Sequence, residues 1–285
     1  MSTTNKLKND CFALPAGVDW TSLDDALLHL ETSLTPIIDK EVIPINATVG
    51  RILAGDLKAG SDSPPFSNSA VDGYAFRFAD AHGEYLELKK GRAAAGHPFS
   101  QAIEKGQAIR IFTGAVLPVG TDTVVLQEDV KLEDNKIYFE NSLQVGANTR
   151  TLGEDIKKGQ VIAFKRDLMT AFMAASSISS GIKSAQVYKK LRVGIFSTGD
   201  ELIDFQQSLK FGSIFDVNSP MLYSLLKAWG NEVSELGKIP DNINVLRDKL
   251  NKASETFDVL ITSGGASAGD EDHLASLLNN EGQVT

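Results

Sequence analysis

The sequence predicts a multidomain protein of α/β plus β class, and three observations carry the prediction. Apolar strand-like runs alternate with amphipathic helical patterns through the last third of the chain, which implies a parallel sheet with crossover helices. Short β-prone runs separated by Gly, Pro, Asp and Asn fill residues 66 to 148, which implies a compact all-β module. The length of 285 residues exceeds one ordinary domain and points to two or three.

Each element follows from local pattern. From Trp20 to Leu34 the residues Leu23, Ala26, Leu27, Leu30 and Leu34 recur at helical spacing; Ser22 or Thr21 can cap the start, and Pro36 ends it. Ile43 to Asn46 reads as a short strand, Gly50 to Leu57 as a turn or helix, and Ser61-Asp-Ser-Pro-Pro65 as loop. In the β module the strands are Tyr74 to Phe78, Gln107 to Phe112, Thr123 to Gln127 and Lys136 to Phe139. Leu168 to Ser180 is helix-like, and Ala185 to Arg192 leads into a strand at Val193 to Phe196. Ser219 and Pro220 mark the start of a helix with apolar face Leu222, Leu225, Leu226 and Trp229, stopped by Gly230. A strand at Glu232 to Leu236, a helix at Ile243 to Ala253, a strand at Asp258 to Thr262 and a helix at Leu274 to Asn280 complete the chain.

Composition narrows the function. The formal charge of −9, with no Lys/Arg stripe, argues against nucleic acid. An anionic ligand would need backbone N–H groups, isolated cations or a metal ion. A single cysteine, Cys11, excludes an internal disulfide framework and a cysteine-rich zinc site. The polar N-terminus lacks a signal-peptide core, and the longest apolar candidate, Leu168 to Ile182, is too short for a membrane span. A soluble cytoplasmic protein with no membrane partner is expected.

Two acidic glycine loops locate the candidate site. Asp258-Val-Leu-Ile-Thr-Ser-Gly-Gly-Ala-Ser-Ala-Gly-Asp-Glu-Asp-His273 is a buried strand emptying into Gly264, Gly265 and Gly269 and then three acids. Arg192-Val-Gly-Ile-Phe-Ser-Thr-Gly-Asp-Glu-Leu202 repeats the arrangement with Gly199, Asp200 and Glu201. Both loops fall at strand carboxyl ends, where open α/β sheets place ligands. Asp241 lies at the end of the intervening strand.

With these residues the chain resembles the molybdopterin molybdenumtransferase family, the MoeA proteins and the gephyrin E domain. Pro65-Phe-Ser-Asn-Ser-Ala-Val-Asp-Gly-Tyr-Ala-Phe-Arg77 is similar to its N-S-A-M-D-G-Y-A signature, with Val71 in place of Met. Arg110-Ile-Phe-Thr-Gly-Ala115, Gly153-Glu-Asp-Ile156, Phe196-Ser-Thr-Gly-Asp-Glu-Leu202, Ile214-Phe-Asp-Val-Asn218 and Thr262-Ser-Gly-Gly-Ala-Ser-Ala-Gly269 follow in the family's order. The resemblance implies a MoeA-like fold: an N-terminal helix and first part of an elongated linking domain at 1–58, an inserted β domain at 59–149, the second part of the linking domain at 150–188, and an incomplete three-layer α/β molybdopterin-binding-like domain at 189–285. It implies insertion of molybdate into adenylylated molybdopterin with release of AMP, assisted by Mg²⁺, in a cleft shared across a homodimer, with other molybdenum cofactor biosynthesis proteins as further partners.

Carried over by motif, the catalytic positions are Asp72, Thr113, Glu201, Asp241 and Asp272. Glu201, Asp241 and Asp272 are the implied metal ligands, hard carboxylates from different strand ends. Ser263, Gly264, Gly265, Ser267 and Gly269 would offer N–H and hydroxyl donors to the phosphate, and Thr113 a donor to an oxyanion such as molybdate. In the family a K-P-G-K-P segment, a G-L-P-G-N-P loop and a C-terminal β domain should follow. The chain ends at Gln283-Val-Thr285, so a truncated form with its C-terminal β domain missing and its activity impaired is expected.

Blander roles stay open for several residues. Asp72 before Gly73 could simply start a turn, and Asp200 or Asp241 could cap a helix. Asp270, Glu271 and Asp272 could form a solvated loop. His29, His82, His97 and His273 show no paired metal spacing, with His273 read as packing or a rim contact. Two other functions compete: a non-catalytic pterin-nucleotide-binding or scaffold protein, and a nucleotide-handling hydrolase on the same α/β unit, which would leave the β-module signature unexplained.

Overall fold

The computed structural model describes residues 22–140, 142–240, 242–264 and 273–281. The chain parts into two compact units, Met1–Ile38 and Asp39–Thr285. In the first, helix α1 spans Leu23–Ser33; the Ser22 hydroxyl accepts from the Asp25 N–H, and none of the helix's residues is buried.

The second unit begins with strand β1, Lys40–Pro44, and a short β2, Leu57–Lys58. Gly50 to Leu57, read as a turn or helix, holds no helix. Ile52 and Leu53 instead form isolated bridges to Leu168 and Val187, because the returning chain supplies partners that local sequence does not reveal.

Strands β3 (Asn68–Ser69), β4 (Gly73–Phe76), β5 (Leu86–Ala93), β6 (Gln107–Ile111), β7 (Thr123–Leu126), β8 (Lys131–Glu133) and β9 (Lys136–Tyr138) follow. Six of them form one sheet in the order β7-β4-β6-β5-β9-β8, antiparallel except for β5 with β6. Side-chain alternation divides its apolar residues. Ala75, Ile109, Ile111 and Val124 enter one cluster, while Phe76, Ala108, Val125 and Ile137 enter the other. The pattern reading missed β5, whose Leu-Glu-Leu-Lys-Lys-Gly-Arg-Ala run is charged and interrupted by a bulge between Lys89 and Arg92.

Strands β10 (Thr149–Arg150) and β11 (Val161–Ala163), helix α2 (Ala171–Ser179) and strand β12 (Ser184–Tyr188) bring the chain back. β12 pairs antiparallel with β1 from Lys40↔Tyr188 to Pro44↔Ser184, and β11 pairs with β2. Ile45, Leu53, Leu57, Met169, Ala174 and Val187 form the core between them. Arg51 ties the ladder by donating to the Tyr188 carbonyl at 2.7 Å and to the Glu41 carboxylate.

The last part is α/β: β13 (Arg192–Thr198), the short β14 (Leu202–Ile203) and β15 (Ile214–Phe215), α3 (Asn218–Ala228), β16 (Glu232–Ile239), α4 (Ile243–Ser254), β17 (Val259–Ser263) and α5 (His273–Glu281). The main sheet is parallel with order β16-β13-β17, and β13 is buried from Val193 to Thr198, as a central parallel strand requires. Val193, Ile195 and Val233 pack with Leu226 of α3, whereas Phe196 and Ile239 pack with Leu246 of α4 and with Leu274 and Leu277 of α5. Helices therefore cover both faces, and the connections from β13 and to β17 run on opposite sides of the sheet.

Two capping roles differ from those expected. Helix α3 starts at Asn218, so Ser219 lies inside it, and the Asp216 carboxylate accepts the Asn218 and Ser219 N–H groups. Helix α4 is capped by Asn242, which accepts from the Asn244 and Val245 N–H groups, so the cap offered to Asp241 is filled by its neighbour.

Gly73 illustrates how tightly β4 is held. A Cβ there would lie 1.9 Å from the Val125 carbonyl oxygen, a backbone atom of the paired β7. Gly73→Ala is expected to destabilise the protein by at least about 3 kcal/mol, since the strand pair must part. The control Gly55→Ala, whose Cβ would meet only Gln186 Oε1 at 3.9 Å, should stay within about 0.5 kcal/mol. Equal urea midpoints for the two variants would refute this account of Gly73.

Candidate functional site

Three segments far apart in sequence meet at one end of the β module. Ser69 donates its N–H to Ala115 O and accepts at its carbonyl from Gly114, while Leu117 N–H donates to Ser67 O. Strand β10 pairs with β3, placing Thr149 opposite Ser69 and Arg150 opposite Asn68, and Leu152 N–H donates to Ser67 Oγ at 3.1 Å. Asn-Ser-Ala-Val-Asp-Gly, Arg-Ile-Phe-Thr-Gly-Ala and the Arg150 to Ile156 segment thus share one hydrogen-bonded corner.

Asp72 and Thr113 touch within that corner. Asp72 Oδ1 accepts from the Thr113 N–H at 2.7 Å and from its hydroxyl at 2.8 Å. The Asp72 carbonyl accepts from Gln127 N–H, and Arg110 donates to Gly73 O at 3.2 Å and to the Gln127 side-chain oxygen. The guanidinium of Arg110 stacks over Tyr74 at 5.1 Å and Phe112 at 4.9 Å. Asp72 is therefore held through both its carboxylate and its carbonyl. The one proton of the Thr113 hydroxyl is committed to Asp72, so this hydroxyl presents a lone pair to a ligand rather than the donor expected for molybdate. Arg110 opens the Arg-Ile-Phe-Thr-Gly-Ala segment but was assigned no role from sequence; its cross-strand place opposite Tyr74 brings it to this corner.

The second corner lies at the carboxyl ends of β13 and β17. Gly199 has φ +132° and Gly264 φ +95°, both in the region that favours glycine. A Cβ on Gly264 would stand 2.6 Å from Thr198 O, and one on Gly199 would stand 2.7 Å from Glu201 Oε2. The two loops therefore press together, with the exposed Glu201 carboxylate folded over Gly199. No helix follows Asp200, so the capping alternative for it falls; β14 begins at Leu202 and pairs with β15.

Asp216 knits this corner. Its carboxylate accepts the hydroxyls of Ser197 and of Ser219, the latter at 2.7 Å, and the Ser219 and Asn218 amides at 3.1 Å. Burial pushes the Asp216 carboxyl upward, but the Ser197 and Ser219 hydroxyls and the two amides outweigh it and hold it below its ordinary value. Asn218 then reaches across, donating from Nδ2 to Ser263 Oγ at 2.8 Å. A cavity of about 140 Å³ beneath includes Ile195, Leu202, Asp204, Asp216, Ser219 and Lys238 in its wall. Asp241, Gly265, Ser267, Gly269, Asp270, Glu271 and Asp272 lie outside the described residues, as does Cys11.

This crevice has the form of a switch point, between strands whose connections leave on opposite faces, where such sheets bind ligands. Glu201 offers oxygen donors there to a hard cation. Among the described residues, no group of three or more His, Cys, Asp or Glu side chains stands close enough to hold a metal ion. No helix among them is long and apolar enough to cross a membrane.

The Asp72 carboxyl is held below its ordinary value first by the Thr113 N–H and then by the Thr113 hydroxyl; desolvation opposes them, and the Arg110 charge adds a smaller lowering effect. A depressed carboxyl pKa means this arrangement is complete at neutral pH and is lost as pH falls through the lowered folded value. Thr113→Val removes the hydroxyl donor, so the Asp72 titration should move up towards the ordinary value when followed by carboxyl-carbon NMR; an unmoved midpoint would show the amide alone sets it.

Comparison with known proteins follows the same division. Residues 21–181 match the MoeA N-terminal region (domain I and II), and residues 194–285 match a probable molybdopterin binding domain. The chain is 36% identical over 264 residues to the molybdopterin molybdenumtransferase of Haemophilus influenzae, covering 92% of this chain and 65% of that one. It is 33% identical over 293 residues to gephyrin of Dictyostelium discoideum, covering 93% and 40%. The solved molybdopterin biosynthesis moeA protein of Pyrococcus horikoshii OT3 superposes with a TM-score of 0.77 at 34% identity, covering 85% of this chain and 65% of that one. The chain thus spans less than two thirds of the length of these relatives.

Proposed function

The chain belongs to the MoeA family, and on that premise we propose that it acts in molybdenum cofactor biosynthesis, taking adenylylated molybdopterin and molybdate and releasing AMP. The observation that carries this reading is the crevice at the carboxyl ends of β13 and β17, where the Gly199–Glu201 loop meets Gly264 beside Ser263, the place where open α/β sheets bind ligands. The adenylylated pterin would lie against Ser263, Gly264, Gly265, Ser267 and Gly269. Loop N–H groups facing phosphate oxygens would offset the protein's negative field.

Asp72, Thr113, Glu201, Asp241 and Asp272 are the proposed catalytic set. Glu201, with Asp241 and Asp272, would hold Mg²⁺, whose chemistry when bound is to neutralise charge on phosphoryl oxygens. The carboxylate of Glu201 fits by donor type and by its place at a strand end. Asp72, kept ionised by Thr113, can accept a hydrogen bond or proton from a ligand group but cannot donate one at neutral pH. We further place Asp72 and Thr113 in the cleft of a two-fold partner, which makes the working unit a homodimer.

In an AMP-release assay with adenylylated molybdopterin, Mg²⁺ and molybdate, run on a full-length version of the protein, Glu201→Gln and Asp272→Asn should each lower the rate by about 100-fold or more while leaving the urea midpoint near that of the parent. Adenylate binding without AMP release by the full-length parent would leave a binding protein and remove the catalytic assignment. Asp72→Ala and Asp272→Ala, each inactive alone as full-length homodimers, should recover part of the activity when mixed and re-dimerised. No recovery in mass-verified heterodimers would put all these residues in one subunit.

A further inference from the structure

Lys238 sits where the alternation of a regular strand would not put it. On β16, Val233 faces α3, so regular alternation would send Glu235 and Gly237 to that side. Lys238 would then point among Phe196, Leu236 and Leu246 on the α4 side, a costly place for an ammonium. The strand avoids this with a one-residue bulge: Ile195 is opposite Glu235 but Ser197 is opposite Lys238, leaving Leu236 and Gly237 to share Phe196. Gly237, at φ +75°, makes the bend. Beyond it the faces exchange, so Ile239 enters the α4-side core at 2% exposure and Lys238 emerges beside Ser197 on the α3 side.

There the ammonium makes two hydrogen bonds. It donates to Asp200 O at 2.9 Å and to Leu202 O at 3.0 Å, the carbonyls on either side of Glu201. The remaining backbone of this turn is also held: Ile214 N–H donates to Glu201 O at 2.9 Å, and Leu202 N–H donates to Gly199 O at 3.1 Å. Other charges around the ammonium are Glu235 on its own strand and Asp204 and Asp216 across the cavity.

We propose that Lys238 is a positioning residue for Glu201, clamping the two flanking carbonyls so that the Glu201 carboxylate stays folded over Gly199 at the mouth of the crevice. The task assigned to Glu201 rests on the functional reading above; the clamp itself does not.

Amide hydrogen exchange on the whole chain tests the clamp directly. In Lys238→Met, which keeps the stem and loses the donors, the Leu202 and Ile214 amides should exchange about tenfold faster while Ile195 in the central strand is unchanged. Lys238→Arg, which keeps the charge and several donors, should remain within about threefold of the parent. Unchanged rates at Leu202 and Ile214 in Lys238→Met would overturn the proposal; so would equal acceleration at Ile195, which would make Lys238 a prop of the whole sheet. Should Lys238→Met not fold, Lys238→Gln is judged by the same criteria. In the AMP-release assay, Lys238→Met added to Glu201→Gln should cost no further rate, because Lys238 acts through Glu201. A multiplied loss would overturn it. If the full-length parent releases no AMP, the functional reading fails and the exchange rates alone decide the clamp.

Discussion

The pairing of β1 with β12 is the constraint on which the unit from Asp39 onward depends. Arg51 and Tyr188, joined across it, are 137 residues apart, and the hydrogen-bonded ladder from Lys40 to Pro44 can form only when the whole intervening chain has returned. Loop-closure entropy grows only logarithmically with length, so a large insertion between the two strands costs little more than a small one. The apolar cluster around Leu53, Met169 and Val187 offsets that cost. On one side of this closure the chain builds the six-stranded sheet; on the other, after three intervening residues, it starts the central strand of the α/β sheet.

A strand buried on both faces sets strict terms at its carboxyl end. Ser197 and Thr198 remain buried although polar, so their groups need partners inside the protein. Asp216 and Ser219 satisfy Ser197, and the same carboxylate holds the first amides of α3. Asn218, the first residue of α3, carries the network to Ser263. Asp216 and Asn218 thereby connect the central strand, the start of a helix and the last residue of the neighbouring strand.

The β module reaches the same end by different means. Its corner is built from backbone pairs among three loops, and the charged groups stand on that frame: Asp72 on Thr113, Arg110 on Gly73 and Gln127, Arg150 on Glu154 and Asp155. Exposed ion pairs such as those of Arg150 with Glu154 and Asp155 add little stability. Direction is fixed where a carboxylate has two donors, as Asp72 and Glu154 do.

Much of this was legible in the residues themselves. Period-3.6 and apolar patterns located α1, α2, α3, α4, β13, β16 and β17; for all but α1, which buries no residue, the reason is that a helix or parallel strand must bury a face where it packs. The glycine loops after β13 and β17 were visible because only glycine tolerates such backbone and such close approach. What tertiary structure alone decided was partnership. Strand β5 carries too many charges to signal itself and is held by β6 and β9; Thr113 could have faced solvent but gives its proton to Asp72; Lys238 belongs to an ordinary-looking strand until a one-residue bulge turns it towards Asp200 and Leu202. Sequence records what each residue prefers locally. Which carbonyl meets which donor depends on register between distant strands, and that is set only when the chain closes on itself.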